Sequence, residues 1–397
     1  MEIPRLTRHL LPLMCLGILI GLIPKLAGAA ATTTKYTKKK ATVARLPAAT
    51  KSPRATPGAT RKPTRRKRRV YRKWSEPTYA DSTLGDNIEG EDLEVRRAAV
   101  EALGAYNGSV VVVDPSTGRV LSIVNQRVAL SSGFQPCSTI KVPVALAGLS
   151  EGLIDRSTKI RLYGRTRMNL TEALAKSNNP YFARLGEQLG YERVAYYAHL
   201  FGLGEKASLD IPTEQPGYFP AEAPKNGGMG MLCSFGEEIL LTPLQLAAFM
   251  SALANGGTLY YLQYPRNQEE IQNFVPRIKR KLDIEQYIPE VKPGLLGAAQ
   301  YGTARRVSSI TGDPIVGKTG TCSENRTHLG WFGSFNDSSD RKLVVVVLLT
   351  GGGPSAGPTA AGVAGSIYRL LAEKNYAAAS RPPSPAALIG TQTCCGQ

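Results

Sequence analysis

Apolar positions along this chain change their spacing several times, and each change marks a boundary. Leu10 to Ile23 is a nearly continuous apolar run. From Lys35 to Lys73 apolar residues become sparse, and basic residues and prolines replace them. The folded body is expected from Pro77 to Lys374. Ser109-Val110-Val111-Val112-Val113-Asp114 reads as a strand, Pro115 to Gly118 as a turn, and Arg119 to Val124 as the returning strand. Ser138-Thr139 then opens an apolar run through Leu146, the signature of a buried helix start. Helical periods follow over Leu170–Lys176, Pro180–Leu189, Glu192–Phe201 and Thr242–Ala254. Strand-like runs return at Pro314–Thr321, Leu329–Phe335 and Leu343–Thr350, and Thr359–Leu371 predicts a last helix. Strands from both ends of the chain, with helices between them, predict an α+β fold: an antiparallel sheet flanked by helices, plus a helical subdomain.

These boundaries divide the chain into residues 1–29, 30–77, 78–376 and 377–397. Arg5 and Arg8 before the apolar run, and Ala27-Gly28-Ala29 after it, give the first segment the anatomy of a secretory signal; an uncleaved membrane anchor is the alternative. Residues 30–77 are expected to be a disordered basic arm, because 16 Lys or Arg and no acid between Lys35 and Lys73 repel one another and bury little. Charge is confined there. Residues 1–73 hold 19 Lys or Arg against Glu2, whereas the remainder balances 30 basic with 30 acidic residues. The arm therefore suits an anionic envelope polymer or membrane surface, or serves as a solvated spacer. With an export signal upstream, no nucleic-acid partner is expected. Lys25, Lys35 and Lys38 to Lys40 pull the other way, since the positive-inside tendency would leave them in the cytosol. Residues 377–397 are expected to be a disordered tail.

Roughly 300 residues remain for a body with a sizeable core. Its chemistry is narrowed by what is scarce. The sequence has three His, His9, His199 and His328, so a Ser-His-Asp triad would rest on His328. Gly353-Pro354-Ser355-Ala356-Gly357 has the spacing of a nucleophile elbow, yet no His follows Ser355 and the flanking prolines oppose the strained turn. The six Cys lack C-x-x-C spacing, and no H-E-x-x-H stands beside them, so no metal site and no cofactor are expected.

Ser138 and Lys141, three residues apart, fall on one helical face. An amine beside a hydroxyl is a base and nucleophile pair if burial or a second cation keeps the amine neutral. Ser177-Asn178-Asn179 follows at a joint between two predicted helices, and Lys318-Thr319-Gly320-Thr321 lies on a predicted strand. In this order the motifs resemble those of the penicillin-binding proteins and their serine β-lactamase relatives. The likeness runs from about Asn107 to Leu371 and includes Phe201-Gly202-Leu203-Gly204, Thr242-Pro243-Leu244-Gln245-Leu246-Ala247, Gly302-Thr303-Ala304 and Gly330-Trp331-Phe332.

That resemblance implies a β-lactamase/transpeptidase-like fold and a role for each residue. Ser138 attacks an acyl carbon and Lys141 takes its proton. Backbone N–H groups of Ser138 and Thr321 form the oxyanion hole. Ser177 relays a proton to the leaving amine, and Asn179 holds Lys141 and the substrate amide. Lys318 keeps the field positive, and Thr319, Gly320 and Thr321 bind the substrate carboxylate. The implied activity is a serine D,D-transpeptidase on peptidoglycan stem peptides, trapped by β-lactams, in the bacterial envelope. A carboxypeptidase or β-lactamase shares every one of these residues, and a peptidoglycan-binding scaffold would keep them without turnover. The chain departs from the family in reading Phe235-Gly236-Glu237-Glu238 where Gly-Gln-Gly is common, and in resembling an isolated transpeptidase domain. Cys137, Cys233 and Cys322 flank the motifs, and a Cys233–Cys322 disulfide is the expectation.

Overall fold

A computed structural model of the chain describes residues 77–308, 314–324, 327–337 and 341–376. In chain order the elements begin α1 (Leu93–Leu103), β1 (Gly108–Asp114), β2 (Arg119–Val124) and α2 (Gln126–Ala129). A 3₁₀ turn, Cys137–Ile140, leads directly into α3 (Lys141–Ser150), followed by the short hairpin β3 (Ile160–Arg161) and β4 (Arg167–Met168). The helical middle comprises α4 (Leu170–Ala175), α5 (Asn179–Leu189), α6 (Tyr191–Leu200), α7 (Gly228–Phe235) and α8 (Pro243–Ala254). Next come β5 (Thr258–Tyr260), α9 (Gln268–Gln272), β6 (Ile278–Lys281), α10 (Ile288–Gln300) and α11 (Arg305–Ser308). The chain closes with β7 (Ile315–Glu324), β8 (Thr327–Asn336), β9 (Val344–Gly352) and α12 (Ala356–Glu373).

The large sheet is antiparallel in the order β2-β1-β9-β8-β7. The last long strand therefore sits in its centre, hydrogen-bonded to the first, with Gly108 opposite Leu349. Side chains alternate between the two faces along each strand. Val110 and Val112 of β1 and Val345, Val347 and Leu349 of β9 enter a core with α1 and α12. Val111, Val113, Val344, Val346 and Leu348 enter a second core shared with α3, α5 and α8. Both faces are covered, so β9 reads as a continuous apolar run instead of an alternating one. The predicted α+β layering, with helices on both faces and a helical subdomain beyond one of them, is what the chain adopts.

Two supports outside the sheet position the site. Helix α1 is fixed by Asp92, whose carboxylate accepts from the N–H groups of Glu94 and Val95, and by the buried Arg96. Arg96 pairs with Asp86 at 2.8 Å and Glu91 at 3.5 Å and donates to the Ile123 carbonyl, tying α1 to β2. Helix α10 packs behind the joint between α4 and α5. A Cβ on Gly294 would lie 2.7 Å from Leu174 Cβ, and one on Gly302, just past α10, would lie 2.1 Å from the Ala175 carbonyl. Glycine at both positions lets the backbones meet there.

The expected Cys233–Cys322 bond is not formed. Cys322 pairs with Cys137, and Cys233 is a free buried thiol on α7, packed against Gly186 of α5. Among the described residues no helix is long and apolar enough to cross a membrane. The export segment, the basic arm and the tail lie outside the described residues.

Candidate active site

Sequence folds locally to bring the motifs together. The Cys137–Ile140 turn precedes α3, whose residues from Lys141 to Leu149 are all buried. Three residues along a 3₁₀ turn eclipse one another, so Lys141 stands over Ser138. Lys141 Nζ lies 2.9 Å from Ser138 Oγ. The next motif bridges two helices. Asn178 caps α5 by accepting from the Tyr181 N–H at 2.9 Å, with Pro180 in the first turn. Ser177 makes the bend at φ 54°, a left-handed conformation uncommon outside glycine. The cap and bend turn both Ser177 and Asn179 toward the amine. Lys141 Nζ is 2.9 Å from the Ser177 carbonyl, 3.1 Å from Ser177 Oγ and 2.5 Å from Asn179 Oδ1.

The third motif arrives on β7, the strand at the open edge of the sheet. Lys318 is buried, and its Nζ donates to Ser177 Oγ at 2.8 Å and to the Thr319 carbonyl at 2.9 Å. Ser177 Oγ is thus the shared point of two lysines. Thr319 Oγ1 is 2.5 Å from Thr303 Oγ1, while Thr321 Oγ1 accepts from the Gly357 N–H at 3.1 Å, at the start of α12. Gly320 is required by contact. A Cβ there would lie 2.9 Å from the Pro136 carbonyl and 3.2 Å from Cys137 Cβ.

Electrostatics follow from this burial. Lys141 is held well below the usual lysine range, first by desolvation and second by the charge of Lys318. Desolvation also pulls Lys318 down to about 7. A neutral Lys141 has one lone pair and two hydrogens. The lone pair can take the Ser138 proton while the hydrogens go to the Ser177 carbonyl and Asn179. The arrangement is a poised nucleophile and base with a second, titratable cation alongside.

Ser138, Lys141, Ser177, Asn179 and Lys318 therefore meet, with Thr319 and Gly320 on the adjoining strand, whereas the Thr321 hydroxyl is engaged by α12. Ser355 stands apart. It caps α12 without a side-chain hydrogen bond, beside a 190 Å³ cavity lined by Thr78, Tyr106, Leu349, Thr350 and Thr359, with no base among them. His328 Nε2 lies 3.3 Å from Ser323 Oγ and His199 Nδ1 3.1 Å from the Leu203 carbonyl, contacts outside the lysine cluster. Several contributors were not assigned from sequence. Thr303 was noted only as part of a landmark tripeptide, though it touches Thr319. Ser234 donates to the Asn179 carbonyl at 2.9 Å, and Trp331 Nε1 to the Gln135 carbonyl at 2.9 Å. Glu237, in the divergent segment, accepts from Gln135 Nε2 at 3.1 Å.

Comparison with known proteins agrees with this geometry. Stage V sporulation protein D of Bacillus subtilis is 28% identical over 292 residues, covering 65% of this chain and 44% of that protein. The peptidoglycan D,D-transpeptidase PbpA of Mycolicibacterium smegmatis is 25% identical over 343 residues, covering 70% of this chain and 69% of its own. Penicillin-binding protein PbpB of the same organism is 24% identical, with 56% of its length matched. The chain thus spans about half the length of several of the curated relatives it matches. Among solved structures, Pseudomonas aeruginosa PBP2 superposes with a TM-score of 0.63 at 23% identity, over 71% of this chain and 75% of that one, a likeness of fold. The family model for the penicillin binding protein transpeptidase domain matches residues 108–369, and the chain belongs to that family.

Proposed function

We propose that the chain is a penicillin-binding serine D,D-transpeptidase that cross-links peptidoglycan stem peptides through a Ser138 acyl-enzyme. The observation that carries this is the fully buried Lys141 amine 2.9 Å from Ser138 Oγ, depressed by desolvation and by Lys318. Ser138 Oγ bonds to the acyl carbon as its proton passes to Lys141. The backbone N–H groups of Ser138 and Thr321 face the oxygen that gains charge, the interaction expected to matter most. When the C–N bond breaks, the proton reaches the departing amine through Ser177, which touches both lysines. An acceptor amine then attacks the ester and gives its proton to Lys141; the bond from the acyl carbon to Ser138 Oγ breaks, and Lys141 returns the proton to Ser138. Asn179 holds Lys141 and the substrate amide. Lys318, Thr319 and Gly320 form the edge that receives the substrate carboxylate.

Residues 1–29 act as an export signal or anchor and residues 30–77 as a tether to an anionic envelope polymer or membrane surface, which places residues 78–376 outside the cytoplasm. The basic arm supports the tether, and the apolar run with its Ala27-Gly28-Ala29 site and the peptidoglycan in the relatives' names support the placement.

Intact-mass spectrometry after addition of benzylpenicillin tests the catalytic reading. A lasting adduct that Ser138→Ala abolishes and Ser355→Ala leaves intact is the expected result. An adduct that disappears as antibiotic is consumed assigns hydrolysis instead. No adduct overturns the catalytic reading and leaves a wall-binding scaffold.

A further inference from the structure

The segment Gln135–Ser138 is held from several directions at once. The Gln135 carbonyl accepts from Trp331 Nε1 of β8 at 2.9 Å, and the Gln135 amide reaches the Phe235 carbonyl and Glu237. Pro136 sits against Gly236, where a Cβ would lie 2.3 Å from its ring. Cys137 follows, with a left-handed φ of 53° in a residue that has a Cβ. It is fully buried, and it is covalently joined to Cys322 of β7 with 5.5 Å between their Cα atoms.

The bond joins the direct neighbours of two functional backbone groups. Cys137 precedes Ser138, and Cys322 follows Thr321. Each of those residues supplies one N–H to the oxyanion hole in the reading above. Those donors come from elements far apart in sequence, one from the turn before α3 and one from an edge strand. Between them the strand meets the turn at Gly320, which tolerates no Cβ against Pro136 and Cys137. An edge strand has β8 on one side only; apart from the Trp331–Gln135 hydrogen bond, which reaches the turn from β8, the disulfide is the covalent link between β7 itself and the turn.

We propose that the Cys137–Cys322 disulfide is a positioning element for acyl transfer: it sets the separation of the Ser138 and Thr321 N–H groups and holds Cys137 in its left-handed conformation. The proposal rests on Ser138 being the acylated residue. Acylation is then conditional on the oxidised bond. Reduction by a dithiol breaks the S–S bond, adds two electrons and two protons to give two thiols, and converts the dithiol to its own disulfide. The strand and turn separate by a fraction of an ångström to an ångström, enough to misplace donors whose effect depends on close geometry.

Stopped-flow acylation of the full chain by a chromogenic cephalosporin tests this, in the oxidised form, after dithiothreitol, and in the variant Cys137→Ser/Cys322→Ser. The maximal acylation rate is expected to fall at least tenfold in both reduced and variant proteins. The half-saturating concentration should stay within threefold, and reoxidation of the reduced protein should restore the rate. Circular dichroism and the melting temperature are recorded on the same samples. A purely structural staple would lower the melting temperature with the rate of the still-folded fraction unchanged, and that result overturns the proposal. So does a rate within twofold of the oxidised form, or non-reducing peptide mapping that finds Cys137 and Cys322 as free thiols in the native protein. Should the double variant not fold, the dithiothreitol titration decides: the rate must track the fraction of oxidised bond at temperatures below melting. If the oxidised protein itself takes no label at Ser138, the functional reading fails instead, and the two failures are distinct.

Discussion

At the scale of single residues the site is a competition for protons between two buried amines. Lys141 must be neutral to act, and its depression owes part to the charge of Lys318. Lys318→Met removes that charge, so Lys141 moves back up toward the ordinary lysine range. The acid limb of the acylation pH profile, where Lys141 becomes protonated and inactive, should shift to higher pH, measured with a chromogenic β-lactam. The native protein carries a second signature. Lys318 sits near 7, so it loses its proton as pH rises through that value, and apparent affinity for a carboxylate-bearing substrate should weaken across the same interval. The linkage sign is fixed by the direction of the shift. Lys318 is lowered on folding, so between about 7 and the unperturbed 10.5 the unfolded chain binds the extra proton. Lys318→Met should therefore raise the melting temperature at neutral pH, by a margin that shrinks as pH climbs through that window. Calorimetry at several pH values would show it; a variant destabilised at pH 7 would contradict it. Ser138, Lys141, Ser177, Asn179 and Lys318 were all legible in the sequence, because each belongs to a short motif whose spacing carries chemistry. The Cys137–Cys322 pairing was not. Three cysteines beside the motifs allow several pairings, and only the approach of β7 to the nucleophile turn selects one.

At the scale of elements, legibility followed the regularity of the buried face. The predicted strands and the helices flanking Ser177 were readable within a few residues of their bounds. Helix α1 was not, because its buried face includes Arg96 while Leu93 is 57% exposed, which blurs the apolar stripe. Helix α10 carries Pro289, Pro293, Gly294 and Gly297, residues that argue against a helix when read one by one. Gly294 is there for the close approach to α4, whereas Gly297 makes room for the Tyr301 ring. The ion network under α1 is the costliest of these to break. Asp86 and Glu91 are nearly inaccessible, and burial already pushes the Glu91 carboxyl up. Arg96→Ala leaves both acids without their cation, and removing one partner of a buried pair costs about 3–5 kcal/mol. Urea unfolding monitored by tryptophan fluorescence should record a loss of that size. A loss under about 1 kcal/mol would mean that Tyr264, Ser122 and the Ile123 N–H satisfy Glu91 by themselves.

At the scale of the whole molecule, charge and catalysis are separable. The formal excess of +18 equals that of residues 1–73 alone, and the rest of the chain is balanced. Deleting Thr32 to Lys73 should leave the melting temperature and the acylation rate of the body unchanged. It should abolish sedimentation with anionic lipid vesicles or wall polymer, which in the full chain weakens steeply with salt. Retained binding after the deletion would move the polyanion contact onto the body.

The pairing of β1 with β9 also sets when the site comes into being. A ribosome makes Ser138, Lys141 and Asn179 early and Lys318 much later, yet the sheet has a gap at its centre until β9 is complete. Long-range pairing of this kind is closed late in folding. Ser138 and Lys318 are thus brought into register by a strand that bears neither of them. A chain stopped at Leu343 would possess Ser138, Lys141, Ser177, Asn179 and Lys318 and should take up no benzylpenicillin. Capacity for acylation is in that sense a receipt for completed synthesis: a β-lactam label would count finished molecules and pass over unfinished ones.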